Sequence, residues 1–147
     1  MSASSDLQRG VAAILENGAL PPGCPVMCRR EKDMRNDIEA AVKNFGLCAQ
    51  VMPPLPKRAL QQEQAFVFFD SAEVRVRIIE QPAVNQTGKD VYDLVDAVAL
   101  ALHWSNPGGM LAHPLMLAER PVEVVESKTE RVMDVLFEAQ YQLNAGG

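Results

Sequence analysis

From Ala65 to Glu80 the sequence alternates: Phe66, Phe68, Ala72, Val74, Val76 and Ile78 take even positions, and Ser71, Glu73, Arg75 and Arg77 fall between them. Side chains leave a strand on alternate faces. The spacing therefore predicts one long strand with an apolar and a charged face, kinked or bulged near Asp70 and Ser71, in preference to the alternative of a hairpin with a tight turn there. The alternation returns near the end of the chain. There Met133, Val135, Phe137, Ala139 and Tyr141 share one face and Asp134, Glu138, Gln140 and Gln142 the other, with Leu136 out of phase. The preceding "RPVEVVE" reads as a partner strand, joined to it by a hairpin at Ser127, Lys128 and Thr129.

Between these strands the period lengthens. Val91, Leu94, Val95, Val98 and Leu102 draw one apolar stripe along a helix. Thr87 with Asp90 reads as its cap, Asp90 and Asp93 suit the positive end of its dipole, and "SNPGG" from Ser105 ends it. A first helix carries Leu7, Val11, Ile14 and Leu15, opens at Ser4, Ser5 or Asp6 and stops at Asn17 and Gly18. Pro21, Pro22 and Pro25 force an extended connector leading to a short edge strand at Val26 to Cys28. A second helix buries Met34, Ile38, Ala41, Val42 and Phe45, with Gly46 as its C-terminal cap. Leu47 to Met52 form a strand stopped by Pro53 and Pro54. Residues Pro53 to Gln64 read as a long polar loop, and a second loop passes through His113 and Pro114. The sum is a single α+β domain, a mixed or antiparallel sheet of about four strands with amphipathic helices packed on one face. It divides into an N-terminal helical part at 1–46, a sheet and packed helix at 47–143 and a flexible tail at 144–147.

The stretch "NQTGKDV" from Asn85 tests whether the chain handles nucleotides. A phosphate loop needs a glycine five positions before Gly88 and a Ser or Thr after Lys89, where Ala83 and Asp90 stand instead. Asp90 would repel the phosphates that such a loop attracts. No nucleotide or other cofactor is expected. The chain has 147 residues, 48 % of them hydrophobic and 22 % charged, with a formal net charge of -5. That balance suits a globular domain and argues against a surface built for sequence-specific nucleic-acid binding. Arg29, Arg30 and Lys32 are interrupted by Glu31 and followed by Asp33, so they form no basic cluster. No apolar run is long enough to span a membrane, and the polar first ten residues carry no secretory signal.

Cys24, Cys28 and Cys48 lack the second pair that a structural zinc site needs, so no metal is expected and Cys48 reads as a small buried hydrophobe. His103, beside Trp104 at a helix end, is read as a cationic or hydrogen-bonding group that suits the helix dipole. No nucleophile elbow is present, and the carboxylates are spread over positions that read as a solvated face. The chain is expected to be no enzyme.

The segments "AEVRVRIIEQPAVNQTGKDVYDLVDAVALALH" and "RPVEVVESKTERVMDVLFEAQYQL", in that order, resemble the tail terminator, or tail completion, proteins of long-tailed bacteriophages and prophages. The resemblance spans Leu47 to Leu143 and, loosely, the N-terminal helix, rests on element order and pattern, and departs at Pro21 to Phe45, where the simplest members lack the extra strand and helix. It implies a non-catalytic virion protein that forms a ring, typically of six subunits, caps the tail tube and presents a surface to the head connector. Its partners would be copies of itself, the tail tube protein and the head-connector protein, without a membrane. It would reside in the tail or neck of the virion, and in the host cytoplasm during assembly.

Candidate contact residues are Lys57, Arg58, Gln61 and Gln62 on the loop and Glu73, Arg75, Arg77 and Glu138 on the charged sheet face. Reversing the charge of Arg75 and Arg77 is expected to weaken the ring and leave the melting temperature unchanged. The alternatives are a small cytosolic enzyme or ligand-binding domain of similar fold, and another phage connector or baseplate component.

Overall fold

The computed structural model describes residues 3–28, 31–61, 67–109, 111–118, 121–127 and 129–141. In chain order the elements are α1 (Ala3–Glu16), β1 (Val26–Met27), α2 (Glu31–Asn44), β2 (Leu47–Val51), β3 (Leu55–Gln61), β4 (Val67–Glu80), α3 (Val91–Leu102), β5 (Leu111–Leu117), β6 (Val122–Glu126) and β7 (Arg131–Tyr141). They form an α+β domain on a seven-stranded mixed sheet, larger than the four strands expected.

β4 and β7 are its centre, antiparallel from Ser71↔Gln140 to Glu80↔Arg131. The other edge of β4 is shared by β3 near its start and β2 near its end. The other edge of β7 is shared by β6 near its start and β5 near its end. β1 adds to β2 in parallel, and every other pairing is antiparallel.

The apolar face of the alternation survives in β4 from Ala72 to Ile78 and in β7 from Val135 to Ala139, beyond a register shift near Asp70 and Ser71. Val74, Val76, Ile78, Val135, Phe137 and Ala139 are fully buried and meet Leu7, Val11 and Leu15 of α1 and Val91, Leu94, Val98 and Leu102 of α3. Phe66 and Gln142 lie outside the described residues.

Three expectations are corrected. Residues Leu55–Gln61 of the supposed loop are strand β3, with register shifts around Arg58. Pairing with the long β4 outweighs the local polar and proline-rich composition, and an edge strand tolerates Pro56 because one row of its amides is unpaired anyway. For the same reason Pro114 sits within β5, so the loop through His113 is another edge strand. Third, the helices do not share one face. Ala41 and Val42 of α2 pack with Cys48, Ile79 and Val132, which point away from the α1–α3 layer. β2 is buried along its whole length for this reason.

The helix ends also shift. α1 begins at Ala3, so Ser4, Ser5 and Asp6 lie in its first turn. α3 is capped by Asp90, not Thr87: Asp90 Oδ1 accepts from the Asp93 amide at 2.9 Å and Asp93 Oδ2 from the Asp90 amide at 3.0 Å, a reciprocal capping box. Thr87 instead closes the preceding turn, its hydroxyl accepting from the Lys89 amide at 3.1 Å. Gly46 ends α2 as expected, with φ 86. A side chain there would collide with the Asn85 backbone, so the position needs glycine twice over.

Candidate functional site

The N-terminus of α3 is no anion site. The buried Glu80 carboxylate accepts from the Val91 amide at 3.1 Å and from Asn85 Nδ2 at 2.8 Å, while Asp90 and Asp93 take the next amides. Carboxylates of the chain itself already fill the positive end of the helix.

The cysteines are equally committed. Burial pushes the Cys24 thiol up to about 11, and burial with the neighbouring Cys24 pushes Cys48 up to about 12. Burial raises Cys28 as well. Thiols held protonated at neutral pH are poor nucleophiles and poor metal ligands. Among the described residues no group of three or more His, Cys, Asp or Glu converges as a metal set.

The histidines serve the fold. His103 Nδ1 accepts from the Leu117 amide at 3.1 Å, which ties the end of α3 to β5. His113 Nδ1 lies 2.9 Å from the Pro114 carbonyl. Trp104 stacks on the His103 ring, with centroids 5.7 Å apart, and meets the His113 ring at a tilt, with centroids 5.3 Å apart. Its backbone has the left-handed φ of 67, held by its amide on the Leu115 carbonyl at 2.8 Å.

The charged sheet face is where the structure gathers candidate residues. Its rows follow from the register: Gln50, Arg77 and Asp134 lie side by side, and Glu73 lies opposite Glu138. Asp134 is fully buried there. Arg77 donates to it from Nε at 2.9 Å and from Nη2 at 3.1 Å, and Arg75 from Nη1 at 3.1 Å. The second Arg75 nitrogen, Nη2, reaches Glu73 at 3.1 Å. Arg75 and Glu73 remain partly exposed.

Sequence reading placed Asp134 on this face but as a solvated carboxylate. It is the centre of the network, and two guanidinium groups 57 and 59 residues away satisfy it. Glu138 faces Glu73 directly, a like-charge pair that favours a cation from outside. Of the remaining candidates, Lys57, Arg58 and Gln61 belong to β3, with Arg58 opposite Ser71, while Gln62 lies outside the described residues.

Alongside the network, α2 and β6 bound an open groove of about 500 Å³ whose lining includes Ile38, Val42, Gln50, Val125 and Val132. Nothing in the sequence pattern announced it, because its walls are far apart in the chain and meet only through β4 and β7. A faint signal was the two-sided burial of "LCAQV", which a short apolar run permits.

Against known proteins, no family model matches the sequence, and no curated protein matches it. A solved structure does match: one chain of the "Virion of native gene transfer agent (GTA) particle", with a TM-score of 0.61 and 15 % identity, over 96 % of this chain and 98 % of that one. At that identity the likeness establishes the shared fold.

Proposed function

We propose that this chain is a non-catalytic virion assembly protein, a tail terminator that closes as a ring on the end of a tail tube and offers a surface to the head connector. The observation that carries the reading is the near-complete mutual coverage with a chain of a gene transfer agent virion: 96 % of one and 98 % of the other. The likeness spans nearly the whole length of both chains. The sequence resemblance to tail terminators points the same way.

The chemistry of the surface agrees. Glu73, Arg75 and Glu138 form a mixed-charge face suited to a heterologous contact, where one patch meets a different one. On this reading the protein works in the tail or neck of a virion after assembly in the host cytoplasm. Light scattering of the concentrated protein, followed by electron microscopy with tubes of its own genome, tests it. A ring, free or capping one tube end, is the expected result. Protein that stays monomeric, ignores the tubes and leaves tail length unchanged on deletion would overturn the reading.

One observation favours a second reading. The α2–β6 groove pairs apolar walls with a buried amide, the composition of a small-ligand site. Thermal-shift screening against small apolar amides and acids distinguishes this reading: saturable stabilisation without ring formation would favour it.

A further inference from the structure

The outer edge of β5 is closed by the chain segment that follows α3. The Trp104 amide donates to the Leu115 carbonyl at 2.8 Å, the Leu115 amide to the Ser105 carbonyl at 2.7 Å, and the Leu117 amide to His103 Nδ1 at 3.1 Å. The next amide, of Ala118, turns inward to the Leu136 carbonyl of β7. Covering an edge in this way keeps its backbone groups from pairing with another chain. Two of the three closing bonds run from backbone to backbone and are indifferent to pH. The third passes through an imidazole.

A ring nitrogen accepts a hydrogen bond only while it carries no proton, and imidazole exchanges between neutral and cationic forms in the physiological range. His103 stands between opposing demands. It caps the carbonyl end of α3, which favours the cation, whereas the Leu117 amide requires the neutral base. The ring is held in place in either form, because it stacks on Trp104 at 23° and an indole face also attracts a cation. A proton taken up at Nδ1 therefore meets the Leu117 amide donor to donor. His113, tilted at 40° to the same indole, is the internal contrast. Its Nδ1 donates to the Pro114 carbonyl, so an incoming proton goes to Nε2 and leaves that bond intact.

The backbone at this joint is strained as well. Trp104, with its φ of 67, is the sole non-glycine residue of positive φ among the described residues. A bulky side chain keeps such a backbone only where surrounding contacts hold it, and such places recur at switch regions. The elements around the joint bring few other titratable groups. They are Tyr92, Asp93 and Asp96 on α3, all at least seven residues before His103, His113 on β5, and Glu138 and Tyr141 on β7, opposite Met116 and Leu111. On α1, Arg9 stands next to Gly10, which meets Pro107, and Glu119 and Arg120 follow β5 in the sequence.

We infer that His103 is an acid-released latch on the edge of β5: the neutral ring holds the Leu117 amide and closes the edge, and the protonated ring lets it go. The latch belongs to the domain itself and does not depend on ring assembly.

Nuclear magnetic resonance on the isotope-labelled full-length protein tests it, by following the His103 ring and the exchange protection of the Leu117 amide from about pH 8 down to about pH 5. The expected result is a several-fold loss of Leu117 protection in step with protonation of His103, while the Leu115 amide, bonded to Ser105, keeps its protection. In His103→Asn the side-chain oxygen stands in for Nδ1 and takes up no proton, so Leu117 stays protected throughout. His113→Asn keeps the loss. Constant Leu117 protection in the wild type would overturn the latch, and so would a loss that persists in His103→Asn or disappears in His113→Asn.

Discussion

The two faces of the sheet solve the same burial problem by different physics. On the α1–α3 face, Val74, Val76, Ile78, Val135 and Phe137 are buried by packing alone. On the opposite face only the end near Ile79 and Val132 lies under α2, and the next row buries a carboxylate, Asp134, under two guanidinium groups. The first face is held by contacts that are individually weak, numerous and independent of charge. The second depends on a few oriented bonds whose members cannot be removed singly without leaving another unpaired. A face of the first kind tolerates small changes of shape, whereas one of the second kind couples stability to any partner that touches its charges.

The sharpest way to break this comparison is to put charge where packing rules. Val76→Asp and Phe137→Asp each place an unpaired carboxylate on the packed face, at a cost of several kcal/mol, and should unfold the domain or leave it insoluble. Circular dichroism with solubility assays checks this. Normal melting of both variants would mean that the faces are exchanged.

Next in size is Asp134→Ala. It leaves Arg77 and Arg75 without their shared acceptor, and should lower stability by about 2–4 kcal/mol in urea titrations, less than a fully buried pair because both guanidinium groups touch solvent. The same geometry corrects the expectation that reversing Arg75 and Arg77 spares the melting temperature. Two carboxylates brought against Asp134 would repel it, so the double reversal should destabilise the fold as well as any ring, and it cannot isolate the interface.

What the sequence made legible follows the same division. Alternation identified β4 and β7, and three- and four-residue spacing identified α1 and α3, because those elements bury one face each and their pattern is local. The face of α2 was also legible at Ile38, Ala41 and Val42, but not the layer it covers. β3 and β5 were missed because an edge strand is decided by its neighbour, and Pro56 or Pro114 speaks against it only in isolation. The candidates Glu73, Arg75 and Arg77 were found by charge, whereas burial of Asp134 and Gln50 depends on registers between strands tens of residues apart.

A smaller effect probes the covered end of the second face. Cys48 packs under α2, and its thiol is raised from 9.0 to about 12, chiefly by burial. A thiol that ionises less readily when folded contributes stability that is fully present below the unfolded value and is lost as pH rises towards the folded one. The window therefore runs from about pH 9 to about pH 12. At pH 10 the unfolded thiol is mostly ionised and the folded one is not, which costs about 1 kcal/mol. Comparing the stability of wild type and Cys48→Ala between pH 7 and pH 10 isolates this loss from other alkaline titrations. An equal decline in both proteins would mean that Cys48 does not ionise differently on folding.

The smallest expected effect is the most informative about the charged face. Arg75→Ala removes one of three bonds to Asp134, but Arg77 still grips both carboxylate oxygens. It also removes a buried Nε that has no partner among the described residues, which offsets part of the loss. The net change should be about 0.5 kcal/mol or less, well below Asp134→Ala, as read from urea midpoints. A loss as large as that of Asp134→Ala would make Arg75 the principal clamp and reverse the ranking. With the fold intact, the same variant asks whether Arg75 serves a neighbour. Its bond to Glu73 leaves Glu138 facing another carboxylate, so a cation supplied by an adjacent copy would relieve that pair, and removing Arg75 would sharpen the demand for it. Ring formation by Arg75→Ala that becomes more salt-sensitive than wild type, at unchanged stability, would place this face in the contact. Unchanged salt dependence would confine the network to holding the sheet together.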